Sequence, residues 1–190
     1  MPVKDAKRRR EPAVLLYPIR LLADFEGGAE MLYILVVAGI VLLECKIKKY
    51  MEHNLPLGES KEILKGKILL KKQYNRGMFL NLMQDKADMV KKLSKVMLGI
   101  LLVVFTFLLP RKHNKMLKLG LSLCLGGAIS NVSDRLKHGY VVDYFSINCK
   151  GLKNVVYNLA DMFIFLGSLL ILLASGFAPK AKGCADKAAE

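Results

Sequence analysis

The sequence has no pair of cysteines at C-x-x-C spacing. Its four cysteines, Cys45, Cys124, Cys149 and Cys184, are scattered, which excludes a zinc finger and a thioredoxin-type redox motif. Cys124 lies in an apolar run and reads as a small packing side chain. His53, His113 and His138 are equally dispersed, and none has a ligand partner at helical spacing, so no metal site is expected. Internal repeats and low-complexity tracts are missing too, which removes solenoid and other repeat architectures from consideration. Acidic residues are few, 16 against 30 lysines and arginines, for a formal charge of +14. Such an excess ordinarily points to nucleic acid. Here no basic segment is interleaved with stacking aromatics and no nucleic-acid module is present, so nucleic acid is not expected as a partner.

What is abundant is apolar sequence. The 190 residues are 53% hydrophobic, high for a water-soluble chain of one compact domain. Four runs read as membrane-spanning helices: residues 31–43, 96–110, 119–133 and 162–178, each extendable by a few residues toward the roughly 20 that a bilayer requires. The basic blocks lie between these runs, where they match anionic lipid headgroups. The expected fold class is an all-α membrane protein of four transmembrane helices, with a small extracytoplasmic element in the first loop. In that loop Lys65 to Tyr74 alternates loosely between apolar and polar residues, compatible with a short sheet on the membrane.

Residues 1–29 form a basic extension, 30–178 the helical domain and 179–190 a basic tail. Pro12 to Leu22 reads as a surface-lying segment. The first span reads as a retained anchor, because Glu44, Lys46 and Lys48 stand where a cleavable signal peptide would carry small residues. Arg111, Lys112, Lys115 and Lys118 crowd the short loop between the second and third spans, and bases also flank both termini. The positive-inside rule therefore places both termini in the cytoplasm. The lysine-rich first loop opposes a simple charge count, but loops of that length obey the rule poorly.

With four crossings, the end of the first span, the start of the second, the end of the third and the start of the fourth share one membrane face. The unusual polar residues collect there: Glu44, Lys48, Asn75, Arg76, Asn131, Asp134, Arg135, Asp143, Asn158 and Asp161. Ionisable groups at membrane depth are costly and persist where they are paired or used. Asn158 and Asp161 are three apart and share a helical face. Taken alone, Asp161 also fits a helix-start residue favoured by the dipole. Asn131 and Arg135, four apart, share another face, and Asp134 is left as a structural partner for a nearby cation. Gly126 and Gly127 permit close approach of a neighbouring helix. Two adjacent carboxylates cannot easily both ionise, so Asp143 and Asp161 together make a general acid and a general base able to hydrolyse a peptide bond without a metal.

The blocks Gly126-Gly127-Ala128-Ile129-Ser130-Asn131-Val132-Ser133-Asp134-Arg135, Gly139-Tyr140-Val141-Val142-Asp143-Tyr144 and Tyr157-Asn158-Leu159-Ala160-Asp161 resemble, in order and spacing, the lipoprotein signal peptidases (signal peptidase II). Asn54 to Glu59 and Asn75-Arg76-Gly77-Met78-Phe79 resemble that family's first-loop elements, so the likeness runs from about Leu43 to Leu173. The resemblance implies an aspartic endopeptidase with Asp143 and Asp161 as catalytic residues. It further implies Asn75, Asn131, Arg135 and Asn158 as positioning or substrate-binding residues, and no cofactor. The implied substrates are diacylglyceryl prolipoproteins, cut just before the lipidated cysteine by a monomer in the bacterial inner membrane, with membrane lipids around it and the active site near the outer face. The chain departs from the family at Glu44-Cys45, where Asp-Gln is usual, although Lys48 stands at the expected lysine.

Two other readings compete. A small transporter would use Asp143, Asp161 and Arg135 as a relay, but residues 119–133 contain no ionisable group to continue it. A catalytically inactive lipoprotein-binding homologue would account for Glu44-Cys45.

Overall fold

The computed structural model describes residues 28–77, 83–150 and 152–176. The extension up to Gly27, with Pro12 to Leu22, and the tail after Gly176, with Cys184, lie outside the described residues, as do Met78 and Phe79 of the first-loop motif.

Among the described residues there are four α-helices: α1 (Ala29–Asn54), α2 (Ala87–Leu108), α3 (Lys115–Lys137) and α4 (Leu159–Gly176). Three strands, β1 (Ser60–Ile63), β2 (Ile68–Asn75) and β3 (Val141–Ile147), form one antiparallel sheet in the order β1-β2-β3. Each expected span falls within or largely along one helix, but the helices are longer than the apolar cores. α1 continues through Glu44, Lys46, Lys48 and Lys49 to Asn54, because long straight-chain charged residues are good helix formers. α2 likewise starts nine residues before Val96. Among the described residues, α3 and α4 are the two helices long and apolar enough to cross a membrane.

α3 is the central helix, packed by α1, α2 and α4. Its glycines set the distances. A Cβ at Gly126 would meet the Cβ of Ile40 on α1 at 2.9 Å, and one at Gly127 would stand 2.5 Å from the Ala160 carbonyl oxygen on α4. Gly120 and Gly167 face each other's backbone one or two turns further along α3 and α4. The pair Gly126-Gly127 thus admits two helices at once. Tyr33, Phe105, Leu109, Leu121 and Leu125 fill the core at the other end of the bundle. Outward, α1, α2 and α4 expose large apolar side chains, including Leu35, Val103, Phe165 and Leu172, the last two about 70% exposed. An apolar surface on that scale is foreign to water-exposed monomers.

The sheet extends beyond the short one expected at Lys65 to Tyr74. Leu64, Lys65 and Gly66 all take positive φ and form the β1–β2 turn, and β2 then pairs with β3, so that Gln73 lies opposite Asp143 and Asn75 opposite Val141. The register slips between Leu70 and Gln73, a bulge of the kind that redirects side chains beside functional sites. Gly139, at φ +79, makes the turn from α3 into β3. After β3, Phe145 and Tyr157 form an isolated antiparallel bridge that returns the chain to the foot of α4.

Candidate active site

The segment that opens α4 builds its own cap. The backbone N–H of Asp161 donates to Oδ1 of Asn158 at 2.9 Å, and the backbone N–H of Asn158 donates to Oδ2 of Asp161 at 3.2 Å. This reciprocal arrangement is a capping box, in which an N-cap side chain and an N3 side chain satisfy two otherwise orphaned donors. Asp161 is therefore a helix-start residue, and the cap fixes one of its carboxylate oxygens.

The cap leaves two groups free for other work. Nδ2 of Asn158 donates to Oδ1 of Asp143 at 2.7 Å, and Oδ1 of Asp161 accepts from Nδ2 of Asn131 at 2.8 Å. The remaining oxygen of Asp143, Oδ2, accepts from Nδ2 of Asn75 at 3.1 Å. Asn158 thus stands between the two carboxylates, one reached through its side chain and the other through its backbone. Asn158 is wholly buried and Asp143 is 3% exposed, while Asp161 is partly buried. Burial, with the Asp161 carboxylate nearby, pushes the Asp143 carboxyl from 3.8 up to about 7, against the opposing pull of Asn75 and Asn158.

The other residues singled out in the sequence surround this pair. Oδ1 of Asn75 accepts from the Gly77 N–H at 2.9 Å, and the Gly77 carbonyl accepts from Nη2 of Arg135 at 2.6 Å. Arg135 reaches inward and pins the end of β2. Arg76, by contrast, is exposed. Asp134 takes the structural part expected of it, pairing with Lys48 at 2.8 Å. Its Oδ2 also accepts from the Val142 N–H at 3.4 Å.

Two contributors were not singled out as site residues. Lys48 is buried, with its Nζ donating to Ser130 Oγ at 3.1 Å and Asn131 Oδ1 at 3.0 Å and facing Glu44 Oε2 at 3.3 Å. Its spacing of four from Glu44 and its place at the lysine expected from the family resemblance were the available signals. Tyr144 is 5% exposed, and its hydroxyl donates to Glu44 Oε1 at 2.8 Å. Nothing in the sequence marks it beyond its place after Asp143. Glu44 itself is fully buried between these two partners, whereas Cys45 is exposed. Among the described residues no cluster of His, Cys, Asp and Glu is arranged to hold a metal ion.

Taken together, a helical bundle whose one end is closed by a small sheet and a hydrogen-bonded carboxylate pair defines a candidate hydrolytic site. Comparison with known proteins agrees with that class. The model of the family described as signal peptidase (SPase) II matches residues 36–177. The lipoprotein signal peptidase of Clostridium tetani is 32% identical over 155 residues, 81% of this chain and 96% of that protein. Its counterpart in Fusobacterium nucleatum subsp. nucleatum is 28% identical over 163 residues, 86% of this chain and 97% of that protein. A solved bacterial membrane enzyme superposes with a TM-score of 0.68 over 80% of this chain and 92% of its own, at 22% identity, a likeness of fold. A second such structure gives 0.66 over 77% and 94%. The chain belongs to the signal peptidase II family.

Proposed function

We propose that the chain is a four-span membrane aspartic endopeptidase that removes signal peptides from diacylglyceryl-modified prolipoproteins, cutting before the lipidated cysteine, with Asp143 and Asp161 as the catalytic pair. The observation that carries this reading is Asn158, held between two carboxylates whose other oxygens rest on Asn75 and Asn131. Four donors oriented on two acids are a preorganised site, since no packing requirement calls for such a cluster at the end of a bundle.

With the Asp143 carboxyl raised to about 7, the pair carries one proton near neutral pH. The ionised member takes a proton from water as its oxygen attacks the scissile carbonyl carbon. The protonated member donates to the carbonyl oxygen as negative charge develops there. Collapse of the tetrahedral intermediate then breaks the C–N bond, and the proton taken from water passes to the leaving amine. Asn75, Asn131 and Asn158 hold the carboxylates in place, and Arg135 anchors the chain beyond β2 on which Asn75 sits. No metal and no cofactor takes part.

The exposed apolar faces of α1, α2 and α4 suit acyl chains, so a lipid-anchored peptide approaches within the bilayer and presents its backbone at the polar end. Residues 30–178 form the peptidase domain, a monomer among membrane lipids, with the extension 1–29 and tail 179–190 both cytoplasmic and the site near the outer face. The basic residues Lys115 and Lys118 at the opposite end of α3 support that orientation.

The test is cleavage of a purified diacylglyceryl prolipoprotein by the full-length protein in detergent or liposomes. Turnover that is abolished in both Asp143→Asn and Asp161→Asn, each still inserted and folded, is the expected result. Wild-type turnover by either variant contradicts the pair. The departure at Glu44-Cys45 favours one other outcome, binding of the lipidated substrate without cleavage, and the same assay separates it.

A further inference from the structure

Leu159 opens α4, and its N–H has no carbonyl partner inside the helix. It donates instead to the hydroxyl of Tyr144 at 3.0 Å. That hydroxyl donates in turn to Oε1 of Glu44 at 2.8 Å, and Oε2 of Glu44 faces Nζ of Lys48 at 3.3 Å. Nζ of Lys48 donates to Oδ1 of Asn131 at 3.0 Å, and Nδ2 of Asn131 donates to Oδ1 of Asp161 at 2.8 Å. The sequence of contacts leaves α4 at Leu159, passes through β3, α1 and α3, and returns to α4 at Asp161. Both of its termini lie in the same helical turn.

Tyr144 also ties the strand to this turn through its backbone. Its N–H and that of Phe145 both donate to the Tyr157 carbonyl, at 2.9 and 3.0 Å, and the Tyr157 N–H returns to Phe145 at 2.7 Å. Asp143, one residue before Tyr144, is thus fixed against the segment that leads into Asn158. A tyrosine hydroxyl can donate and accept at once, and here it does both in a buried place where either group left alone would be costly.

We propose that the Glu44–Tyr144 pair positions the catalytic carboxylates, with the Tyr144 hydroxyl setting the first turn of α4, and with it Asp161, against Asp143 on β3. The inference rests on the reading of Asp143 and Asp161 as the catalytic pair. It gives the departure at Glu44 a use: the glutamate is the acceptor that reaches from α1 to β3. The charged and titratable groups around the ring are Glu44 and Lys48 on α1, Asp134 and Arg135 on α3, Asp143 and Tyr144 on β3, and Asp161 on α4. Tyr144 touches neither water nor substrate in this scheme and is a positioning residue.

The experiment compares the full-length wild type with Tyr144→Phe, Glu44→Gln and the double variant on a diacylglyceryl prolipoprotein, with kcat and KM resolved across pH and Tm recorded for each. Tyr144→Phe is expected to lower kcat by about 10-fold or more, to change KM by less than about twofold, and to displace the limbs of the pH profile. The double variant is expected to lose little beyond the worse single one, because the two residues act as a unit. A folded Tyr144→Phe with wild-type kcat and pH profile overturns the proposal, whatever its Tm, as do additive losses in the double variant. Should Tyr144→Phe not fold, Glu44→Leu decides. It removes the acceptor of the Tyr144 hydroxyl, so a folded Glu44→Leu with wild-type kcat and pH profile overturns the proposal and a displaced profile with reduced kcat supports it. A wild type without turnover refutes the catalytic reading instead, and this inference with it.

Discussion

Asn158 donates its side-chain amide to Asp143 across 2.7 Å, and the oxygen of that same amide caps the helix on which Asp161 sits. One residue therefore ties the orientation of a carboxylate on a strand to the start of a helix. Because both contacts come from one planar amide, the Asp143 carboxylate cannot shift without disturbing the cap at the start of α4.

Asn158→Ala removes both contacts. It is expected to lower kcat by about 100-fold, the order for loss of one preorganised donor, and to cost about 1 kcal/mol of stability through the lost cap. Asn158→Asp keeps a capping oxygen but sets a third buried acid against Asp143 and Asp161 in place of a donor. Its activity loss should be as large as in Asn158→Ala, and its stability loss near neutral pH larger. Prolipoprotein turnover beside thermal unfolding of both variants checks this, and equal losses of stability and activity in both would contradict it.

The raised Asp143 carboxyl, about 7 against 3.8, has two pH signatures. In activity, kcat/KM should follow a bell whose alkaline limb falls near neutrality, with both apparent values belonging to the pair. In stability, the folded protein holds this proton to higher pH than the unfolded chain does. The contribution is therefore fully present below about 3.8 and lost as pH rises through about 7. Asp143→Asn, uncharged throughout, should gain on the wild type as pH rises. The gain is at most about 4 kcal/mol for a shift of about 3 units, less what its amide loses against the donors of Asn75 and Asn158. Tm curves against pH that run parallel for the two proteins would exclude the shift.

Lys48 is buried against Glu44 and Asp134, at 3.3 and 2.8 Å. Replacing it with Met leaves two carboxylates without their shared cation, and a loss of about 3 kcal/mol or more is expected. Adding Asp134→Asn should recover part of it. Equilibrium unfolding of the single and double variants measures both effects.

Gly127 and Gly167 lie where α3 and α4 touch, and a Cβ at either would sit 2.5 Å from a backbone oxygen of the facing helix. Gly127→Ala and Gly167→Ala should each cost about 2 kcal/mol or more, because backbone cannot yield as a flexible side chain does. Gly39, in α1, has nothing within 4 Å of its would-be Cβ, so Gly39→Ala should be neutral or stabilising by up to about 1 kcal/mol. The contrast in Tm among the three variants is the check.

Much of this site was legible in the chain. Asn158 and Asp161 at a spacing of three, and Asn131 and Arg135 at four, followed from helical geometry alone. Gly126-Gly127 signalled close packing, and the structure shows that one glycine meets α1 and the other α4. The helix-start reading of Asp161 and the functional one turn out to be compatible, since the cap occupies Oδ2 and leaves Oδ1 to Asn131. The sheet was less legible. β2 and β3 are more than sixty residues apart, and their pairing is specified by the return of the chain through α2 and α3 rather than by any local pattern.

The sequence by itself determined four apolar helical segments, the basic blocks between them and a set of polar residues confined to their ends, because periodicity, charge and apolarity are properties of short stretches. It also carried the motif blocks that mark the family. Only the tertiary structure decided which donor meets which oxygen, which groups Lys48 joins, that Tyr144 belongs to the site, and that Arg135 holds Gly77 while Arg76 is exposed. Those contacts join residues 58 to 100 positions apart. Their partners are chosen by how α1, α3, α4 and the sheet pack together, which no single segment encodes.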